Sequence, residues 1–138
     1  MKRTAKAVWN GSLKEGEGKI STQSNILNDS KYCFNSRFGE GKSTNPDELL
    51  AAAHASCFAM ALSLFLGKEG YTPDSLEVTS TVTMDADKLE LTGSHLTLNA
   101  KIPNIDRIKF EECARAAKEN CPVSKALSFK ITLDANLV

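Results

Sequence analysis

The 138-residue sequence has no net charge. Its 17 Lys and Arg balance 17 Asp and Glu, and neither sign gathers into a block. Nucleic acids and other polyanions call for a local excess of positive charge, so no nucleic-acid partner is expected. The first residues, MKRTAKAVWNG, hold no apolar run. A secretory leader is therefore not expected, and the chain is read as cytoplasmic. In that reducing compartment the four cysteines should rest as thiols rather than as a disulfide framework. There is no CxxC pair, no HExxH and no phosphate-binding glycine loop. The common signatures of structural zinc, zinc proteases and nucleotide sites are thus missing, and neither a cofactor nor a resident metal is expected.

The stretch TNPDELLAAAHASCFAMALSLFLG, Thr44 to Gly67, stands out. Asn45 suits a helix N-cap, and Pro46 suits the first helical position, where a missing N–H costs nothing. Asp47 and Glu48 place negative charge at the positive end of the helix dipole. Gly67 reads as the stop. Between these ends the helix is apolar or small on every face, the pattern of a buried helix. It is long enough to raise a membrane span, but its alanines, His54, Ser56 and Ser63 argue against one, as does the lack of a one-sided basic flank. No membrane partner is expected.

Around this helix the sequence alternates in ways that predict strands. Residues 4–9 and 17–22 flank the turn-forming NGSLKEGEG, and 31–38, KYCFNSRF, makes a third strand with Arg37 near its end. After the helix, LEVTSTVTM and KLELTGSHLTLNAKI follow as two more, with Gly93 marking a bulge or a join. A second helix spans 106–120 with Asp106 as N-cap. CPVSKAL forms a short helical turn, and SFKITLDANL closes as a strand. The order predicts a single α+β domain over 1–138, with antiparallel sheets, two long helices and the apolar one central. One sheet covers only one side of such a helix. A second subunit is therefore expected to cover the other, in an intertwined homodimer.

Two thiols could carry chemistry. Cys121 directly precedes Pro122, which places it at the cap of a new helical turn, where thiols react readily. Cys57 lies one turn after His54 on the apolar helix, so the two can share a face. Each has a plainer reading as well. Free cysteines commonly pack as small hydrophobes, and His54 fits a hydrogen-bonded histidine at the core edge as well as a metal ligand beside Cys57 and Cys121. Arg37 could stabilise a thiolate or a carboxylate, or be an exposed edge charge. Cys33 and Cys113 read as packing residues.

Through W-N-G near the start, the block FNSRFGEGKSTNPDELLAAAHASCFAMALS, the turn GYTPDS, the block ENCPVSKAL and the final ITLDANL, the sequence resembles the osmotically inducible protein C family, OsmC. This family sits within the wider group that includes the organic hydroperoxide reductases. FNSRF and HASCFAMALS match the OsmC branch. The resemblance covers essentially the whole chain. It implies a thiol peroxidase of oxidative and osmotic stress defence, with Cys57 as the peroxidatic nucleophile, Cys121 as the resolving thiol and Arg37 holding the thiolate. It implies organic hydroperoxides as substrates, with hydrogen peroxide weaker, and an outside dithiol as reductant, lipoyl-type dithiols among the candidates. It also implies that an acidic residue after the Asn-Pro pair holds the arginine. The family has glutamate there, whereas this sequence has Asp47 followed by Glu48. Ten residues of helix turn about 1000°, which leaves Asp47 about 80° from Cys57, while Glu48 falls about 180° away. Helix phase thus favours Asp47. Leu50, Phe58 and Met60 are expected to form apolar walls for an alkyl group. The competing readings are a thiol redox sensor without turnover, an apolar-ligand binding module of the same fold, and a metal-binding protein using His54, Cys57 and Cys121.

Overall fold

The computed structural model describes all 138 residues. They fall into two compact units, Met1–Leu49 and Leu50–Val138. In the first, β1 (Ala5–Asn10), β2 (Glu17–Thr22) and β3 (Ser30–Tyr32) form an antiparallel sheet in that order. Gly18, on the central strand, lies opposite Trp9 on one side and Tyr32 on the other. The two rings close over it with centroids 5.4 Å apart. A Cβ at this position would run into both rings, so the aromatic pair depends on glycine.

The third strand is shorter than the sequence predicts. β3 ends at Tyr32, and Phe34–Phe38 form a short helix, α1. Aromatic-rich KYCFNSRF favours a strand by propensity, but Ser36 turns the chain. Its hydroxyl accepts a hydrogen bond from the Cys33 N–H at 2.9 Å and donates one to the Cys33 carbonyl at 2.7 Å. Such local side-chain bonds compete with strand pairing. Phe34 and Phe38 then stack one turn apart, centroids 4.7 Å apart. Arg37 therefore sits on a helix rather than late in a strand.

The long helix, α2 (Pro46–Lys68), begins as the sequence predicts. Asn45 Oδ1 accepts from the Glu48 N–H at 2.8 Å, relieving one of the unpaired donors at a helix start. Its far end differs. Gly67 stays helical, and the turn falls at Gly70, where φ is 85°. The Tyr71 N–H donates to the Leu66 carbonyl at 2.9 Å, and the Gly70 N–H to the Gly67 carbonyl at 3.1 Å. This crossed pair of bonds is a Schellman motif, whose left-handed residue is easiest for glycine.

The second unit has a sheet in the order β4 (Ser75–Asp85), β5 (Glu90–Lys101), β6 (Lys130–Leu137). β4 and β5 form an antiparallel hairpin. Its register slips between Thr83 and Met84, leaving Thr92 without a partner beside Gly93, the irregularity that Gly93 suggests. β5 and β6 pair in parallel, which corrects the expectation of purely antiparallel sheets. The cause is the connection: α3 (Arg107–Asn120) and α4 (Pro122–Ala126) carry the chain back across the sheet, and a helical crossover delivers a parallel strand. Asp106 caps α3, accepting from the Lys109 N–H at 2.9 Å.

The core of this unit joins Phe58, Leu62 and Leu66 of α2 to Leu96, Leu98 and Ala100 of β5 and to Phe110, Cys113 and Ala117 of α3. Each fully buried Phe or Leu contributes about 1.5–3 kcal/mol. On α2 the buried side chains are His54, Phe58, Leu62 and Leu66, a single stripe at four-residue spacing. By length and composition alone α2 could cross a membrane, yet this stripe makes it the core helix of its unit. Within the chain it is not buried all round: Met60 is 76% and Leu64 57% exposed.

Candidate active site

Cys121 caps two helices at once, the C-terminus of α3 and the N-terminus of α4. Its N–H donates to the Ala117 carbonyl at 2.9 Å, and its carbonyl accepts from the Lys125 N–H at 3.0 Å. Its extended backbone, ψ 128°, is what the following proline enforces. The thiol is fully buried, whereas Cys57, midway along α2, is half-buried. Both are free thiols, and they are neighbours. Burial pushes the Cys57 thiol above its ordinary value, and hydrogen bonding with the Cys121 thiol adds to the effect. The Val123 N–H, in the first turn of α4, pulls the other way. On balance these surroundings disfavour the Cys57 thiolate.

His54 is fully buried one turn before Cys57. Its Nδ1 lies 2.7 Å from Ser94 Oγ on β5, and its Nε2 lies 2.8 Å from Ser124 Oγ on α4. Ser94 Oγ continues to Ser80 Oγ on β4 at 3.0 Å. Burial lowers the imidazole pKa and keeps the ring neutral. A neutral ring donates through one nitrogen and accepts through the other, so both serines are satisfied. With both nitrogens engaged, His54 is a core histidine rather than a metal ligand. No group of three or more His, Cys, Asp or Glu side chains is placed to hold a metal.

In the first unit, Arg37 grips Asp47 with two hydrogen bonds, Nη2 to Oδ1 at 3.1 Å and Nε to Oδ2 at 3.4 Å. Glu48 takes no part. Its carboxylate accepts from Thr44 Oγ1 at 2.8 Å. Arg37 also lines a cavity of about 300 Å³ whose other walls are mainly aromatic and aliphatic, among them Trp9, Tyr32, Phe34 and Phe38. Cys33 opens onto the same cavity. Its thiol is held below the ordinary value, chiefly by hydrogen bonding from the Ser36 backbone and then from its hydroxyl.

The structure thus brings Cys57 to Cys121 and Arg37 to Asp47. It does not make one wall of Leu50, Phe58 and Met60. Phe58 is wholly inside the core and Met60 is largely exposed, because two residues along a helix turn about 200°. Sequence reasoning missed Ser94 and Ser124, which lie 40 and 70 positions from His54. It also missed the aromatic cavity and the acidity of Cys33. The spacing of Ser36 three residues after Cys33 was a signal for the latter, since that spacing suits a helix cap.

A family model described as OsmC-like protein matches residues 39–136. The chain is 43% identical over 137 residues to a protein of Escherichia coli named Peroxiredoxin OsmC, covering 98% of this chain and 96% of the relative. Among solved structures, the organic hydroperoxide resistance protein OhrB of Bacillus subtilis is 28% identical, with a TM-score of 0.65 and 98% of each chain covered. An OsmC-like protein of Mycoplasma pneumoniae shares the fold at 18% identity, with a TM-score of 0.77 over 100% of this chain and 98% of the other.

Proposed function

The chain belongs to the OsmC-like protein family and is a cysteine-based peroxidase; we propose that Cys57 attacks the peroxide and Cys121 resolves the product. The observation that carries this reading is the meeting of a half-buried thiol on α2 with a fully buried thiol at the cap of α4. The Cys57 thiolate attacks the distal oxygen of a hydroperoxide, ROOH. The O–O bond breaks, the leaving alkoxide takes a proton as ROH, and Cys57 becomes a sulfenic acid. The Cys121 sulfur then attacks the Cys57 sulfur, and water leaves as the disulfide forms. An outside dithiol reduces that disulfide and closes the cycle.

Attack requires a thiolate, which burial beside Cys121 disfavours. The family resemblance assigns the stabilising cation to Arg37, which Asp47 orients. The apolar cavity beside Arg37 supports a substrate with an alkyl body, and so organic hydroperoxides ahead of hydrogen peroxide. A homodimer would cover the face of α2 that carries Met60 and Leu64, both exposed in the single chain. The place of action in this reading is the cytoplasm.

The test is steady-state turnover of cumene hydroperoxide and hydrogen peroxide under several dithiols, with mass mapping of the oxidised protein. Catalytic turnover and a dominant Cys57–Cys121 bridge are expected. Oxidation that stops after one equivalent would make the protein a sensor, and a bridge through Cys33 or Cys113 would sink the thiol assignment.

A further inference from the structure

We propose that His54 is a positioning residue: through Ser124 it holds α4 so that the Cys121 thiol faces Cys57. The inference rests on the thiol-pair reading above and adds a part to it. α4 is five residues long, and Ser124 is its one buried residue. Pro122, Lys125 and Ala126 are exposed. The short helix is therefore gripped from within the core at a single buried side chain. That side chain meets His54 Nε2 at 2.8 Å. His54 lies on the helix that carries Cys57, and Ser124 lies on the helix that Cys121 caps. The hydrogen bond thus ties the support of one sulfur to the support of the other. The opposite ring nitrogen is fixed to the sheet through Ser94 at 2.7 Å, so the imidazole itself has little freedom.

A leucine or phenylalanine could fill the same volume without needing partners. A buried imidazole between two hydroxyls supplies direction instead, because a hydrogen bond fixes distance and angle where apolar packing tolerates sliding. Direction matters for the second chemical step. The Cys57 sulfenic acid has two fates. It reacts with Cys121–SH to give the disulfide and water, or with a second hydroperoxide to give a sulfinic acid and the alcohol. The first is intramolecular and depends steeply on placement, within the narrow geometry a disulfide accepts. The second needs no attack by Cys121. Loosening α4 slows the first far more than the second.

Two variants separate this role from plain stabilisation. Ser124→Ala and Ser94→Ala each remove one hydroxyl from His54, but only the former cuts the tie between α2 and α4. Each protein is treated with graded cumene hydroperoxide, and the ratio of Cys57 sulfinic acid to Cys57–Cys121 disulfide is read by mass. The rate of sulfenic acid formation is followed separately, and thermal melts confirm folding. In Ser124→Ala the ratio is expected to rise about tenfold while the rate of the first step changes by no more than about twofold, and in Ser94→Ala the ratio stays within about twofold of the parent. Equal rises in the two variants, or no rise in Ser124→Ala, would overturn the positioning role. If the unmodified protein itself forms no Cys57–Cys121 bridge, the thiol-pair reading fails first, and that outcome is visible before any variant is made.

Discussion

Replacing Asp47 by asparagine removes one charge and leaves the side chain almost the same shape. In the native protein Asp47 receives two hydrogen bonds from Arg37, at 3.1 and 3.4 Å. The arginine side chain is 33% and the aspartate 17% exposed, so the pair is only partly sheltered from water. A hydrogen bond to a charged group contributes about 1.5–3 kcal/mol, and solvent screening draws this pair toward about 1–2 kcal/mol. The charge at the start of α2 adds about 0.3–1 kcal/mol through the helix dipole. The larger effect should be kinetic. An arginine gripped at two points is fixed in direction as well as charge, and in the proposed mechanism loss of that grip would leave the Cys57 thiolate stabilised only part of the time. Asp47→Asn is therefore expected to slow Cys57 oxidation at least about tenfold, about 1.4 kcal/mol of barrier. Glu48→Gln keeps an oxygen to accept from Thr44 and touches no arginine, so its rate should stay within about threefold. Stopped-flow oxidation of each variant by an organic hydroperoxide, with folding checked by thermal melt, reads both rates. If Glu48→Gln is the slow variant and Asp47→Asn is not, the Arg37–Asp47 grip is not what prepares the thiol.

Because hydrogen bonding with Cys121 helps hold the Cys57 thiol above its ordinary value, Cys121→Ala should move the pH midpoint of Cys57 alkylation by iodoacetamide downward; an upward move would contradict this pairing. The buried His54 ring is neutral in the fold, with its pKa below the 6.5 of a free histidine. The unfolded chain therefore takes up a proton below that pH when the fold does not, and stability is full above it and lost as pH falls through it. Melting temperatures measured downward from pH 6.5 should fall more steeply for the parent than for His54→Gln, and parallel curves would count against it. Light scattering should report a homodimer at micromolar concentration, and a well-folded monomer there would show that the exposed face of α2 needs no second copy.

Much of the fold can be read from the sequence because its signals are local. Asn45 and Asp106 each cap a helix within three residues of the donor they satisfy. Leu96, Leu98, Ala100 and Ile102 alternate and are all buried. What escaped reading lies at longer range or in conflict with propensity. Aromatic residues in KYCFNSRF favour a strand, and one serine hydroxyl outweighs them at Ser36. The parallel pairing of β5 with β6 does have a trace in the sequence, since two helical segments separate these strands, but pairing direction depends on the whole crossover. Ser94 and Ser124 look like ordinary polar residues until the fold sets both against His54. Within the site, the choice of Asp47 over Glu48 as partner of Arg37 could be argued from helix phase. The raised acidity of Cys33 depends on the α1 turn, which the sequence reading did not contain.

The crossover from β5 to β6 also sets an order of events during synthesis. The β4–β5 hairpin closes over a few residues and can form as soon as it leaves the ribosome, whereas β6 pairs with β5 only after α3 and α4 have been made. Cys121 lies on that late connection. Cys57 therefore emerges early and spends the growth of the chain without its partner thiol. In the proposed mechanism, a nascent chain that meets peroxide at that stage would be oxidised at Cys57 with no resolving thiol in place, and disulfide formation would wait until Cys121 has been made and α4 has folded.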